Sequence, residues 1–363
     1  MTPSETNVAH LAIHETPDAA YVAIVDAATS GVRRRQEAMM KTLRCAPALF
    51  DKDLSGKTYI VTGANSGAGL ATTEQLVKQG AHVVAACRRP QVGVEATHHL
   101  AQAKGSVDVM ELDLASLDSV RRFVEVFKGK HTKLHGLVNN AGIMACPESK
   151  TTDGFETQFG VNHLGHFLLT ELLLDVLQTS APSRVVMVSS VAHAGLRGQP
   201  AELHLDDLDF HQRTYDPVVS YNQSKLAIVL YARHLAKRLE GTGVTSVSVH
   251  PGWIRSNLVQ HAMPPFVQNV LMRPFGGFIG LMGAKDGAQT QLHCLLDDDV
   301  PAHNGAYYSQ NSILYADKKD RAGGWPMTSP NPHAHDDDLA AALVAKSSEM
   351  VGLDVSGWWS SQR

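Results

Sequence analysis

A chain of 363 residues that is 44% hydrophobic and 19% charged has the apolar content for a sizeable core, in one large α/β domain with extensions or in two smaller domains. A net charge of −4 gives no electrostatic reason to bind nucleic acid or an anionic membrane. No apolar run approaches the ~18 residues that cross a bilayer, and the first 30 residues lack the basic-then-apolar order of a secretory signal. Cys45, Cys87, Cys146 and Cys294 lie too far apart for metal-ligand spacing and read as reduced thiols, so an intracellular, cytoplasmic protein is the default expectation.

Residues 1–50 show no glycine-rich or strand-like order. Asp18–Leu43 is expected to form a helix, with Arg33, Arg34 and Arg35 on a solvated face. From Lys57 strands and helices alternate: strand Thr58–Thr62, helix Gly67–Gln79, strands His82–Cys87 and Val107–Leu112, helix Leu117–Lys128, and strand Gly136–Asn139. Helix Phe159–Leu177, strand Arg184–Ser189, helix Ser220–Leu239 and strand Thr245–His250 follow. This order predicts a single Rossmann-type α/β fold, a doubly wound parallel sheet covered by helices on both faces. The end, from about Tyr315, holds a loop-forming Gly/Pro stretch, then Asp336, Asp337 and Asp338 at the start of a helical run, Leu339–Met350. His333 and His335 beside those acids read as part of surface capping, not as a metal site. The expected division is an extension over 1–50, a catalytic domain over 51–315, and a loop with a closing helix over 316–363.

Gly63, Asn65, Ser66, Gly67, Ala68 and Gly69 fall in T-G-A-N-S-G-A-G, which follows a strand and opens a helix. Glycine permits the tight turn and the close approach of a pyrophosphate, and the helix N-terminus offers N–H groups to its charge. An NAD site places an acid about 20 residues on; here the second strand runs into Arg88-Arg89. A guanidinium suits a 2′-phosphate, so NADP(H) is the expected cofactor, with Ser66 as a further donor.

Tyr221 and Lys225 stand four residues apart in V-V-S-Y-N-Q-S-K, on one face near a helix start. An ammonium there is expected to lower the phenol's pKa and allow proton exchange with a substrate oxygen. Arg184–Ser190 ends in two serines at the ligand-binding end of the sheet, and Asn139-Asn140-Ala141-Gly142 follows another strand.

From about Gly56 to Tyr308 the chain resembles the short-chain dehydrogenases/reductases. The matching pieces, in order, are T-G-A-N-S-G-A-G, Asp113-Leu114, N-N-A-G, V-N-H-L-G-H-F, V-V-M-V-S-S, Y-N-Q-S-K and H-P-G-W-I-R-S-N. The resemblance implies a catalytic tetrad of Asn162, Ser190, Tyr221 and Lys225. Tyr221 would be the acid/base, Ser190 would polarise the carbonyl, Lys225 would also bind the nicotinamide ribose, and Asn162 would hold a relay water. It further implies cofactor contacts from Asp113 and Leu114, from Asn140 near the adenosine ribose, and from Ile254 at the carboxamide. The link between Ser190 and Tyr221, with its L-D-D-L-D-F, narrows the likeness to the retinol dehydrogenase-like and protochlorophyllide oxidoreductase-like branch, as do A-C-R and the closing V-A-K-S-S-E-M-V-G-L. The expected reaction interconverts a carbonyl and an alcohol on an apolar small molecule, with Val259–Met282 as substrate lid, in a homodimer or tetramer. Two other readings stand beside it: light-dependent protochlorophyllide reduction, and a catalytically silent NADPH-binding sensor or scaffold. The N-terminal extension and the stretch Tyr315–Asp338 match no family motif.

Overall fold

The computed structural model describes residues 42–195, 200–254 and 281–354. Most of the expected N-terminal helix, and the lid stretch apart from Leu281 and Met282, lie outside the described residues.

Eight strands form one sheet: β1 (Thr58–Thr62), β2 (His82–Cys87), β3 (Ser106–Glu111), β4 (Gly136–Asn139), β5 (Ser183–Val188), β6 (Val244–His250), β9 (Tyr307–Ser309) and β10 (Gly324–Met327). Their spatial order is β10-β9-β6-β5-β4-β1-β2-β3. All neighbours run parallel except β10, which pairs antiparallel with β9. A second pair, β7 (Trp253–Ile254) and β8 (Leu281–Met282), stands apart. The helices are α1 (Gly67–Lys78), α2 (Pro90–Thr97), α3 (Leu117–Lys130), α4 (Gly165–Thr179), α5 (Pro217–Arg238), α6 (Ala284–Leu296) and α7 (Asp337–Val351).

Successive strand residues point to opposite faces, and the two cores divide accordingly. Ile60, Val84, Leu137, Val185 and Met187 join α3, α4, α5 and α7 on one face. Tyr59, Val61, Val83, Val186 and Val247 meet α1 and α6 on the other. Ile60, Val84 and Leu137 are fully buried, each contributing about 1.5–3 kcal/mol of hydrophobic stabilisation. Both faces being covered explains why the strands read as continuous apolar runs.

Several features depart from the sequence expectation, among them the strands β7, β8 and β9, which follow the last expected strand. The Gly/Pro stretch contains β10, which tolerates Pro326 because an edge strand can spare an N–H. The expected helix from Phe159 is interrupted: a short α turn (Thr157–Phe159) and a π turn (Gly160–Leu164) precede α4. α2 and α6 also form where no helix was expected. The Asp336 carboxylate caps α7 by accepting from the Leu339 N–H at 2.9 Å, as the acids at that position suggested. All four cysteines are free and buried. Among the described residues no helix is long and apolar enough to cross a membrane.

Candidate active site

Strand order reverses between β1 and β4, and open α/β sheets bind ligands at the carboxyl ends of the strands beside such a switch. Here Gly63 and Gly67 adopt φ of +66° and +57°, a region in which other residues are strained. A Cβ on Gly69 would lie 2.6 Å from the Gly63 carbonyl oxygen and closer still to the Asn140 amide. Glycine is therefore what lets α1 close onto the turn. Ser66 is the N-cap of α1, yet its side chain makes no capping bond and no acid sits in the first turn. The first N–H groups of α1 are thus left for water or an anion. Arg88 and Arg89 emerge exposed from the end of β2.

The loop after β4 is strapped to β1. Thr62 Oγ1 accepts the N–H groups of Asn140 and Ala141, both at 2.9 Å. Two acceptor positions are then filled, so its single proton faces His166 Nε2 at 2.9 Å and, at a longer 3.4 Å, the Val138 carbonyl. His166 Nδ1–H in turn donates to the Asn162 carbonyl at 3.0 Å. This fixes a neutral imidazole, and burial pushes its pKa down to about 4. The Asn140 amide donates to the Thr62 carbonyl at 2.8 Å and accepts from Gln291 at 2.9 Å. It therefore acts first as an internal strap. Asp113 is half-buried and accepts from the Ala115 N–H at 3.0 Å, whereas the Leu114 side chain turns into the core.

Asn162 lies in the π turn, a local irregularity that often marks functional sites. Its Oδ1 accepts from the Ile143 N–H at 2.9 Å, and its Nδ2 donates to the Ile143 carbonyl and to Ser224 Oγ, both at 3.0 Å. Only one Oδ1 lone pair stays open to a further partner. Ser224 stands on α5 next to Lys225. A Cβ on Gly142 would lie 3.1 Å from Asn162 Oδ1 and 3.5 Å from Lys225 Nζ, so the N-N-A-G loop touches both.

The two serines after β5 separate by geometry. The Ser189 hydroxyl donates inward to the Lys225 carbonyl at 2.8 Å. Ser190 is half-buried, accepts from the Ala192 N–H at 3.2 Å, and stands near enough to the Tyr221 phenol to draw its pKa down. Tyr221 and Lys225 follow the capped start of α5, where the Asp216 carboxylate accepts from Val218 at 2.7 Å and Val219 at 3.0 Å. Lys225 Nζ donates to the Val188 carbonyl at 3.0 Å and lies 5.6 Å from the centre of the Tyr221 ring.

Burial dominates the electrostatics of the pair. Burial pushes the Tyr221 phenol up to about 12, with the neighbouring Ser190 side chain pulling the other way. Burial likewise pushes the Lys225 ammonium down to about 7. In the dinucleotide-free chain, burial is the largest cause of both shifts.

Ile254 sits in β7 and packs on α6 at Gly287, where a Cβ would collide with its side chain. The remainder of H-P-G-W-I-R-S-N, from Arg255 on, lies outside the described residues. The structure thus brings Asn162, Ser190, Tyr221 and Lys225 into one cluster beside the glycine turn. Arg88, Asp113 and Asn140 follow neighbouring strand ends at the same edge of the sheet. Sequence reading missed the supporting side chains of Thr62, His166, His193, Ser329 and Asn331. Thr62 and His166 lay inside quoted motifs and could have been found there, whereas Ser329 and Asn331 act on a turn more than 100 residues away.

Comparison with known proteins gives the same answer as the geometry. The family model described as short chain dehydrogenase matches residues 57–201. Human retinol dehydrogenase 12 is 43% identical over 306 residues, covering 83% of this chain and 88% of that protein. Human retinol dehydrogenase 11 is 41% identical over 308 residues, covering 83% and 88%. A crystal structure of an uncharacterized protein from Mycobacterium paratuberculosis superposes with a TM-score of 0.66 at 34% identity, covering 86% of this chain and 99% of that one. The chain belongs to the short-chain dehydrogenase family and is an oxidoreductase that uses a nicotinamide dinucleotide. Within the family it falls in the retinol dehydrogenase-like branch, whose chemistry is carbonyl/alcohol interconversion on small molecules.

Proposed function

We propose that the protein interconverts a carbonyl and an alcohol on an apolar small molecule with NADP(H), using Asn162, Ser190, Tyr221 and Lys225 as its catalytic set. The observation that carries this reading is the placement of the Tyr221 ring 5.6 Å from the buried Lys225 ammonium, which is tied to the Val188 carbonyl two residues before Ser190. The site also fits a dinucleotide: it has a glycine turn that a Cβ would fill, an uncapped helix start, and a buried cation.

Backbone N–H groups of the turn Gly63–Gly69, including Asn65 and Ala68, would receive the pyrophosphate, with Ser66 as a side-chain donor. Asp113, Leu114, Asn140 and Ile254 would border the rest of the dinucleotide. The exposed Arg88, with no acid at the end of β2, favours a 2′-phosphate. Bound there, the dinucleotide supplies or takes up the hydride.

The chain's own groups handle position and proton. The Ser190 hydroxyl donates to the substrate oxygen and polarises it. The Tyr221 phenol gives its proton to that oxygen in reduction and takes it back in oxidation. Lys225 binds ribose hydroxyls and stabilises a developing phenolate, and the open lone pair of Asn162 holds a water on the proton path. The names of the relatives support an apolar alcohol or aldehyde such as a retinoid. An intact Ser–Tyr–Lys cluster favours turnover over a silent sensor, and carbonyl chemistry over light-driven reduction of a carbon–carbon double bond.

The test is NADPH oxidation over a panel of retinoid, steroid and simple aldehydes, with Tyr221→Phe as the diagnostic variant. Loss of the phenolic proton should lower kcat by about 10²-fold or more, with NADPH affinity within about twofold of wild type. Near-normal turnover in that variant would overturn the mechanism.

A further inference from the structure

The stretch between Gly323 and Pro332 belongs to none of the family motifs, yet it reaches the candidate catalytic serine. β10 runs back along β9 and delivers Ser329 and Asn331 to the 3₁₀ turn Val191–Ala194 that follows Ser190. There the Ser190 carbonyl accepts twice from His193, from Nδ1 at 2.6 Å and from the backbone N–H at 3.1 Å. A carbonyl oxygen cannot donate, so His193 Nδ1 carries the proton and Nε2 is bare. Ser329 Oγ, 2.7 Å from Nε2, is therefore the donor. The chain runs one way: Ser329 hydroxyl to His193 to Ser190 carbonyl.

Asn331 closes the arrangement. It is fully buried, and its two amide hydrogens go to the carbonyls of His193 at 2.6 Å and Ala201 at 2.9 Å. Its Oδ1 accepts from the His333 N–H at 3.0 Å. One amide thus holds both the turn after Ser190 and the chain that returns at Ala201. The Tyr307 ring, centred 4.5 Å from the His193 ring, backs the imidazole. A buried and fully directed network of this kind fixes geometry more than it adds net stability.

We propose that Ser329 and Asn331, acting through His193, are positioning residues for Ser190, which makes the C-terminal loop a working part of the active site. The inference rests on the reading of Ser190 as the group that polarises the substrate carbonyl. Misplacement of such a group by about 1 Å can cost up to ~10²-fold in rate.

The experiment measures kcat, KM and NADPH affinity for Ser329→Ala, Ser329→Thr, Asn331→Ala, Ser190→Ala and the double variant Ser190→Ala/Asn331→Ala. Asn331→Ala should lower kcat about 10–100-fold and Ser329→Ala about 3–10-fold, with NADPH affinity within about twofold and Ser329→Thr near wild type. In the Ser190→Ala background the Asn331→Ala effect should shrink to less than about twofold, because residues acting through one group are non-additive. An equal loss in both backgrounds would make Asn331 a general structural residue and overturn the proposal. An inactive Ser190→Ala with fully active Ser329→Ala and Asn331→Ala would overturn the positioning role alone. Wild-type kcat in Ser190→Ala would overturn the underlying reading and the proposal with it. If Asn331→Ala fails to fold, the serine pair decides: Ser329→Ala slow and Ser329→Thr restored supports the proposal, and two unaffected variants overturn it.

Discussion

Lys225 is a cation 4% exposed whose ammonium donates to one backbone carbonyl. Burial lowers its pKa from 10.5 to about 7, so the unfolded chain holds this proton more tightly. Stability is therefore lost as pH falls from about 10.5 toward 7. Lys225→Met should raise the melting temperature of the dinucleotide-free protein at neutral pH by a few degrees, while removing turnover, because it trades a strained charge for apolar volume. Thermal melts with and without NADPH check this, and a lower melting temperature would count against it. Arg88 makes a separate claim. Arg88→Asp replaces a phosphate partner by a repelling charge and should move the NADPH/NADH preference toward NADH by about tenfold or more. Comparing kcat/KM for the two cofactors measures it, and an unchanged ratio would assign 2′-phosphate recognition elsewhere.

At the scale of elements, the site is made where regular structure stops. The glycine turn ends β1, the π turn precedes α4, and the two serines end β5. Each break releases backbone groups or side chains that regular structure would bury, and tertiary hydrogen bonds then hold them. α5 shows the cost of fraying such an end. Its first turn is held by Pro217 and the Asp216 cap, and Tyr221 stands one turn further on. Asp216→Ala should destabilise the protein by about 1 kcal/mol, a loss of about 1–3 °C in Tm, with kcat falling more than NADPH affinity. Differential scanning calorimetry and steady-state kinetics on the same variant separate the two effects.

Over the whole molecule, buried neutral histidines surround the site. Desolvation lowers the pKa of His163 to about 3, His166 to about 4, His193 to about 4 and His250 to about 3. Each folded-state value lies below the ordinary 6.5, so the unfolded chain binds more protons in acid. Their contribution to stability is complete above about pH 6.5 and is lost as pH falls toward 4, by up to about 1.4 kcal/mol per pH unit for each group. Melting temperature should still rise from pH 7 to 8, where Lys225 sheds its proton in the folded state, and should drop steeply between pH 6.5 and 4.5. A melting temperature that holds to pH 4.5 would contradict the neutral-histidine network. Three of these rings are bonded into it: His166 to Thr62 and Asn162, His193 to Ser190 and Ser329, and His163 to Ser347 on α7. Acid should therefore reduce activity before it unfolds the chain.

The alternation of apolar strands with helices, the glycine turn and the four-residue spacing of Tyr221 and Lys225 were legible in the sequence because each is local. A period of 2 or 3.6 residues, or a turn that only glycine can make, is written within a few neighbouring positions. The edge strand β10 was not legible, since Gly324-Trp325-Pro326-Met327 has loop composition and becomes a strand only beside β9. The choice between Ser189 and Ser190 acquired a physical basis only in the fold, where the Ser189 hydroxyl turns inward to the Lys225 carbonyl and Ser190 is left on the side of Tyr221. The spacing of Tyr221 and Lys225 was local, but how deeply both are buried is a property of the packed molecule. Ser329 and His193 are 136 residues apart and meet only because the last strands fold back over the sheet. Short-range pattern determined which elements and reactive groups this chain has, and desolvation with long-range hydrogen bonding decided how those groups are held and charged.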